Sequence, residues 1–277
     1  MKKWLIVAGI LVAAGLIIST VGLAIANFDF SGLGTKEMIT NTYTVEESFE
    51  NISVDAITAD VIFVPSEDGG AKVVCYEDKK VPFSVCVEGD TLVISCEDNR
   101  KWYDHISILG KTETVTVYLP AGEYAELQVN CTTGDVTAPE AFSFANVQID
   151  VTTGDICWKA GVNQALSVKT TTGAVTAENV QCNTLNVKTT TGDVTLTDTF
   201  AAETIKVQVS TGDVKLKRVD SGELEIKSTT GDVTGTLLSD KEFITDVTTG
   251  DVRVPDTTSG GKCRIETTTG DIHITIE

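Results

Sequence analysis

Eight glycines recur through the second half of the chain at an almost constant interval of 19 or 20 residues. Each stands in a TTGDV-like segment, of which Thr189–Val194 is one copy. A fixed period near 20 residues is typical of stacked repeat architectures, so this interval constrains the fold more than any other feature. The eight are Gly134, Gly154, Gly173, Gly192, Gly212, Gly231, Gly250 and Gly270.

The residues around each glycine alternate between apolar and polar. Seven and five positions before it the residue is mostly apolar, with a polar residue between, as in Leu185, Asn186 and Val187. Apolar residues recur two and four positions after it, as in Val194 and Leu196. This alternation predicts a half-buried strand on each side of the glycine. The change of parity at the glycine predicts a corner, for which glycine supplies a positive φ.

Two architectures fit a strand, a corner and a second strand repeated eight times. An antiparallel meander would use each glycine in a hairpin turn, but it does not explain near-identical residues in every column. In a β-solenoid each column stacks on its own copies about 4.8 Å apart. We therefore predict an all-β, single-chain parallel β-solenoid (a β-helix) with 19–20 residues per coil. Its eight coils span residues 127–277 and about 40 Å.

The residues before the first repeat look like an irregular start of the same fold. Residues 46–126 contain further alternating segments, and Ala59–Val61 reads ADV where later coils read GDV. We expect this region to cap the N-terminal end of the solenoid. Residues 27–45 contain glycine and serine, and we expect them to form a tether.

The N-terminus predicts a membrane anchor. Residues 4–26 carry no charge and are almost wholly apolar, which is long enough for a transmembrane helix. Two lysines in residues 1–3 predict that this short tail is cytoplasmic and that the C-terminal domain is extracellular. The alternative is a signal peptide cleaved after the AIA of Ala24–Ala26. Both alternatives export the same domain.

Charge and cysteine content exclude some classes of function. The net charge is -19, from 40 acidic and 21 basic residues, which opposes nucleic-acid binding and favours solubility. None of the seven cysteines forms a C-x-x-C pair, so zinc and thioredoxin chemistry lack support. Because seven is odd, at least one thiol stays unpaired in a monomer.

Two columns of the repeat carry oxygen ligands. An aspartate follows seven of the eight glycines, and a calcium ion between stacked carboxylates would relieve their repulsion. The alternative is structural, because aspartate accepts backbone N–H bonds at turns. The exception, Ala174, weakens any claim that every aspartate is required. A threonine precedes each glycine, and we expect its hydroxyl to bond from coil to coil rather than to bind sugars.

Catalysis has little support in the sequence. Its two histidines, His105 and His273, stand in no recognised catalytic motif. Three arginines that could serve a polysaccharide-cleaving site, Arg218, Arg253 and Arg264, share no column. Trp102 and Trp158 could stack on sugars, although packing in the core is the commoner role of tryptophan. We therefore assign no catalytic, cofactor-binding or metal-binding residue.

The chain resembles the bacterial putative-adhesin family over residues 46–277. The resemblance rests on Phe49–Val54, Ala59–Pro65, Val115–Pro120 and the serial TTGDV corners. It implies a β-helix that is often membrane-anchored on the bacterial cell surface, where some relatives accompany cell-envelope stress systems. It implies no catalytic residues, because the family has none that are agreed.

Together these features predict a membrane-anchored surface protein that acts by interaction, with a surface glycan or a protein as partner. The alternatives are a glycan-processing β-helix enzyme and a self-assembling envelope scaffold. The scaffold would use the last strand, Ile272–Glu277, because no capping segment follows it in the sequence.

Overall fold

The computed structural model describes Gly15, residues 37–96 and residues 112–277. The chain forms two compact units, one of residues 38–99 with 112–277 and the other of residues 1–37 with 100–111. Of the latter unit only Gly15 and Glu37 are described, so the fold that can be followed is that of the former.

The predicted cytoplasmic tail (1–3) and membrane anchor (4–26) lie outside the described residues, apart from Gly15, as do Trp102 and His105. Within the described ranges, no helix combines the length and the apolar character needed to cross a bilayer.

Twenty-two β-strands make up this unit. Seven precede the first repeat coil: β1 (Met38–Val45), β2 (Asn51–Thr58), β3 (Asp60–Pro65), β4 (Ala71–Asp78), β5 (Phe83–Glu88), β6 (Thr91–Cys96) and β7 (Thr114–Leu119). The next eleven are β8 (Gly122–Thr133), β9 (Val136–Ala138), β10 (Phe142–Thr153), β11 (Ile156–Trp158), β12 (Gly161–Thr172), β13 (Val175–Glu178), β14 (Gln181–Thr191), β15 (Val194–Thr197), β16 (Phe200–Thr211), β17 (Val214–Thr230) and β18 (Val233–Leu237). The last four are β19 (Lys241–Thr249), β20 (Val252–Arg253), β21 (Gly261–Thr269) and β22 (Ile272–Ile276).

These strands form two mainly parallel sheets joined at the corners of the coils. The front sheet contains the strands that precede a corner, such as β8, β10 and β12, and the rear sheet contains those that follow, such as β9, β11 and β13. β17 belongs to both, because its first half pairs with β15 and its second half with β16. Equal positions of successive coils pair, so Leu166 lies between Val147 and Leu185. The β-solenoid prediction is therefore confirmed, and the alternative of an antiparallel meander is wrong.

The core lies between the two sheets and follows the predicted alternation. Five positions before the glycine, the column from Val129 to Ile265 is at most 2% exposed in seven of its eight members. The exception is Thr245, which is half-buried. Two positions after the glycine the only exposed member is Val252. Both exceptions belong to the β19–β20 coil.

The N-terminal region supplies two further coils. In the first, β2 and β3 meet at Ala59–Asp60, directly beside Gly134–Asp135 of the first repeat. The Ala59 amide donates to Thr133 O at 2.9 Å, and the Val61 amide donates to Asp135 O at 2.8 Å. The ADV segment thus makes the same backbone hydrogen bonds as the GDV segments. The second coil consists of β6 and β7, which stack on β2 and β3.

Antiparallel strands cover that end of the stack. β4 pairs with β7 and β1 pairs with β4 in the rear sheet, while β5 pairs with β6 in the front sheet. The tether prediction is therefore wrong at its C-terminal end, because residues 38–45 are strand β1. Tyr43 of β1 also donates its hydroxyl to Phe83 O of β5 at 2.8 Å.

The order of the coils in space differs from their order in the chain at both ends. The β2–β3 coil lies between β6–β7 and β8–β9. At the other end the β21–β22 coil lies between β17–β18 and β19–β20. The expectation of an open final strand is therefore wrong at Ile272 and His273, which pair with β18 on one side and with β20 on the other. Self-association through Ile272–Glu277 stays a prediction. The outermost coil is β19–β20.

Candidate functional surface

The repeated corner is a backbone structure. All eight repeat glycines have φ between 140° and 154°, a region that residues with a side chain rarely adopt. A Cβ on any of them would also lie well inside 3.0 Å of a backbone carbonyl oxygen of the neighbouring coil. Backbone bonds join the corners, as where the Gly154 amide donates to Thr172 O at 2.9 Å. Glycine is required here for two reasons, which are its positive φ and the close approach of the backbone of the neighbouring coil.

The aspartate column forms a ladder of hydrogen bonds along the stack. Each carboxylate except that of Asp251, in the outermost coil, accepts at Oδ1 the backbone N–H of the equivalent residue in the next coil. The Asp155 amide donates to Asp135 at 2.8 Å, and the Ala174 amide donates to Asp155 at 2.7 Å. The same bond runs from Asp135 to Asp60 of the β2–β3 coil, at 2.9 Å. The structural role that the sequence offered for these aspartates is therefore present.

The ladder is interrupted at Ala174, which has no carboxylate for the Asp193 amide. On the other side of that gap Lys215 lies 3.1 Å from Asp193 Oδ2 and 3.6 Å from Asp213 Oδ2. The hydrogen bond from the Asp213 amide, followed by that from Lys215, lowers the pKa of Asp193 below its usual value. These contacts stabilise the ionised form of Asp193.

The calcium prediction for this column stays a prediction. Among residues 37–96 and 112–277, no group of three or more histidine, cysteine or acidic side chains is arranged to hold a metal ion. One oxygen of most aspartates in the ladder is already used by a backbone N–H.

The side-chain hydroxyls that form hydrogen bonds between coils stand two positions before the threonine that the sequence predicted, which directly precedes the glycine. They come from the residue three before the glycine, where Thr170, Thr189 and Thr267 donate to a glycine carbonyl oxygen of the neighbouring coil at 3.3–3.4 Å. Cys131, in the same column, donates its thiol to Ala59 O at 3.4 Å. Ser228 occupies this column too, but its buried hydroxyl has no partner.

The aromatic and basic residues that the sequence singled out do not converge on one site. Trp158 is fully buried, donates from Nε1 to Ala160 O at 2.8 Å and packs against Phe144, so it is a core residue. His273 is exposed on the rear sheet beside Arg253. Arg218 pairs with Asp198 at 2.7 Å.

All seven cysteines are unpaired. Burial raises the pKa of Cys75 and of Cys263 to about 12, so both stay as thiols at neutral pH. The four buried cysteines, Cys75, Cys131, Cys182 and Cys263, act as small apolar residues of the core.

A polar groove of about 360 Å³ opens on the outer face of the front sheet. It lies where β5, β6, β2 and β8 run side by side, so its side chains come from adjacent strands. Amide, hydroxyl and carboxylate groups dominate its lining. The polar lining residues are Asn51, Ser53, Glu88, Thr91, Glu126 and Gln128. Sequence reasoning missed this groove because it depends on β6 stacking on β2, out of chain order.

A second groove of about 200 Å³ lies on the same face, across β14, β16 and β17. Lys188 and Lys227 flank Gln208 there, one coil apart on each side. Lys227 is held by Glu225 at 3.2 Å and Glu266 at 3.4 Å. The outer face of the front sheet thus presents hydrogen-bonding groups in rows about 4.8 Å apart.

Solved structures from bacteria share this fold. A structure described as a "putative adhesin" from Parabacteroides distasonis is 14% identical, with a TM-score of 0.54, over 87% of this chain and 98% of that one. A "putative lipid binding protein" from the same species is 13% identical, with a TM-score of 0.50, over 85% and 96%. At such identities the likeness concerns the fold alone. No curated protein sequence matches the chain.

A sequence model of one family matches the chain twice. The Toastrack DUF4097 family matches residues 49–202 and again residues 182–277. The two matches together span the whole stack from β2 to β22. The chain therefore belongs to the Toastrack DUF4097 family.

Proposed function

We propose that this protein is a membrane-anchored, extracellular binding module of a bacterial envelope, with an adhesin-like role and no catalysis. The apolar segment 4–26 supports the anchor and the outward orientation. Family membership, with a fold shared by proteins described as adhesins, supports a role in surface interaction. A protease added to intact cells should remove a C-terminal epitope tag, and a tag that is cut only after lysis would contradict this location.

The partner that fits best is a surface glycan. The observation that supports this proposal is the polar groove where β5, β6, β2 and β8 run side by side. Its lining offers amide, hydroxyl and carboxylate groups at regular spacing. Sugar hydroxyls both donate and accept hydrogen bonds. The amide, hydroxyl and carboxylate groups of the groove include acceptors for the donated bonds and donors for the accepted ones. Glu126 is exposed and Gln128 is half-exposed in the groove, so both are accessible.

The test is sedimentation of the purified chain with insoluble cell-wall polysaccharide. The double variant Glu126→Ala with Gln128→Ala should weaken binding at least about tenfold, because two hydrogen-bonding groups worth about 1 kcal/mol each are removed. Asn186→Ala is the matched control, since Asn186 occupies the same column as Gln128 but lies three coils away. Equal loss in both variants, or binding unchanged in the double variant, would show that the groove is not the site.

A further inference from the structure

The two ends of the stack differ in the strands that cover them. At the N-terminal end the antiparallel strands β1, β4 and β5 lie over the last parallel coil. At the other end β19 pairs with β21 and β20 pairs with β22. In the described part of the chain, no further strand pairs with the outer edge of β19 or β20.

The outermost coil exposes residues that are buried in every other coil. Phe243, Thr245 and Val247 are half-exposed, whereas their neighbours in β21 are at most 4% exposed. Val252 is 42% exposed beside the fully buried Ile272. Of the four large apolar residues that are exposed among the described residues, three lie on this coil or on the segment leading into it: Leu238, Ile244 and Val252.

The edge of β19 carries unpaired backbone groups at every second residue. Thr249 O accepts the Gly270 amide, so the odd-numbered residues of β19 face β21. Strand geometry then points the N–H and C=O groups of Glu242, Ile244, Asp246 and Thr248 to the open edge. A row of this kind is a template for another β-strand.

The sequence of β19 is complementary to itself in one antiparallel register. With Thr245 opposite its own copy, Phe243 opposes Val247, Ile244 opposes Asp246 and Glu242 opposes Thr248. Sliding the register by two residues sets Glu242 against Asp246, or Asp246 against its own copy. Opposed carboxylates destabilise a strand pair, whereas aromatic–aliphatic and threonine pairs stabilise it. Of these three registers, only the one centred on Thr245 joins apolar residues without opposing two carboxylates.

We propose that the β19–β20 end of the stack pairs with the same end of a second copy of this chain. The two β19 strands run antiparallel about a two-fold axis at Thr245, and both front sheets continue across the junction. This contact closes on itself as a dimer, because the same surface is used by both copies. The opposite end is a poorer match, since β1 and β5 already contact each other there through Tyr43.

A cysteine placed on the axis tests the register directly. In this arrangement Thr245 belongs to a non-hydrogen-bonded pair, whose Cα atoms lie about 4.5 Å apart, within the range that a disulfide spans. Asp246 lies diagonal to its own copy, with Cα atoms about 7–8 Å apart, which is too far. The full chain with Thr245→Cys should form a cross-linked dimer under mild oxidation, and the chain with Asp246→Cys should not. Both variants carry Cys86→Ser, because Cys86 is exposed.

A second variant tests the edge itself. Ile244→Lys places a charge on the open strand and should raise the dimer dissociation constant at least about tenfold in sedimentation equilibrium of the full chain in detergent. Asn186→Lys, in the same column of an interior coil, should leave it unchanged. A monomer at all concentrations, a disulfide from Asp246→Cys instead of Thr245→Cys, or unlimited growth into filaments would each overturn the proposal.

Discussion

Glycine at the corner is the residue on which each of the eight repeat coils depends. Its φ near 145° and the close approach of a neighbouring carbonyl oxygen exclude a side chain at all eight repeat positions. Ala59 takes this place in the β2–β3 coil, where no positive φ is recorded. The glycine therefore recurs along the chain for a reason of backbone geometry, and the aspartate that follows it adds a hydrogen bond between most neighbouring corners.

Gly192→Ala should be strongly destabilising for the same reason. We expect a loss of about 3 kcal/mol or more in the free energy of unfolding, because the new Cβ meets backbone atoms of Gly173 and the φ is strained. Chemical denaturation measures the loss. Gly122→Ala is the control, since Gly122 has an ordinary φ and open space around it. Similar stabilities for the two variants would contradict the corner geometry.

At the scale of the elements, a buried ion pair lies where the order of the coils in space departs from their order in the chain. Lys241, at the start of β19, reaches past Gly261 to Asp220 Oδ1 at 2.6 Å and to Ser221 O at 2.6 Å. Its side chain is only 4% exposed. Gly261 has no side chain to block this path. The pair therefore links the two coils between which β21 lies.

Asp220→Asn should destabilise the protein by about 3 kcal/mol at neutral pH, because it leaves the Lys241 charge buried without a counter-charge. Burial raises the pKa of Asp220, but the hydrogen bonds from Lys241 and Ser239 outweigh it, so the pKa is below its usual value. The carboxylate thus stabilises the fold above about pH 4, and this contribution is lost as pH falls further. The difference between wild type and variant should shrink in acid.

Denaturation between pH 7 and pH 3 measures this dependence. The control is Glu178→Gln, which breaks the exposed pair of Glu178 with Lys159 and should change stability far less. A variant that loses nothing at pH 7 would show that the buried pair does not hold this end of the stack.

The sequence was sufficient to predict the coil but not the order of the coils. Alternation around Gly192 and its seven counterparts defines both strands and the corner, because each column must face the same interior. Because equal positions of successive coils hold nearly the same residues, the side chains of β21 match those of β17 as well as the side chains of β19 would. Five positions before its glycine, β19 has Thr245, whereas the other repeat coils have valine or isoleucine. This polar residue at a core position was the local indication that its coil lies at the end of the stack.

A second corner, present in three of the coils, also escaped prediction. Asn179, Asp198 and Arg218 adopt positive φ six residues after their glycines. Asparagine and aspartate tolerate this conformation, but arginine rarely does, so the three positions showed no shared residue type. The polar groove was missed for a different reason, since it forms only where β6 stacks on β2.

At the scale of the whole molecule, the repeat builds a stack whose interior is apolar and whose outer faces are polar. The excess of acidic residues is spread over those faces, and the aspartate ladder is satisfied by backbone N–H groups along most of its length. Binding is therefore expected on the outer face of the front sheet and at the β19–β20 end. The corners themselves are structural.

That central claim is tested most directly by a thermal melt of the protein in millimolar calcium and again in chelator. If the corners are structural units, the aspartates already have their partners and the melting temperature should be the same in both. A rise of many degrees with calcium would mean that the folded state binds the ion, and it would contradict the account by making the aspartate column a metal site.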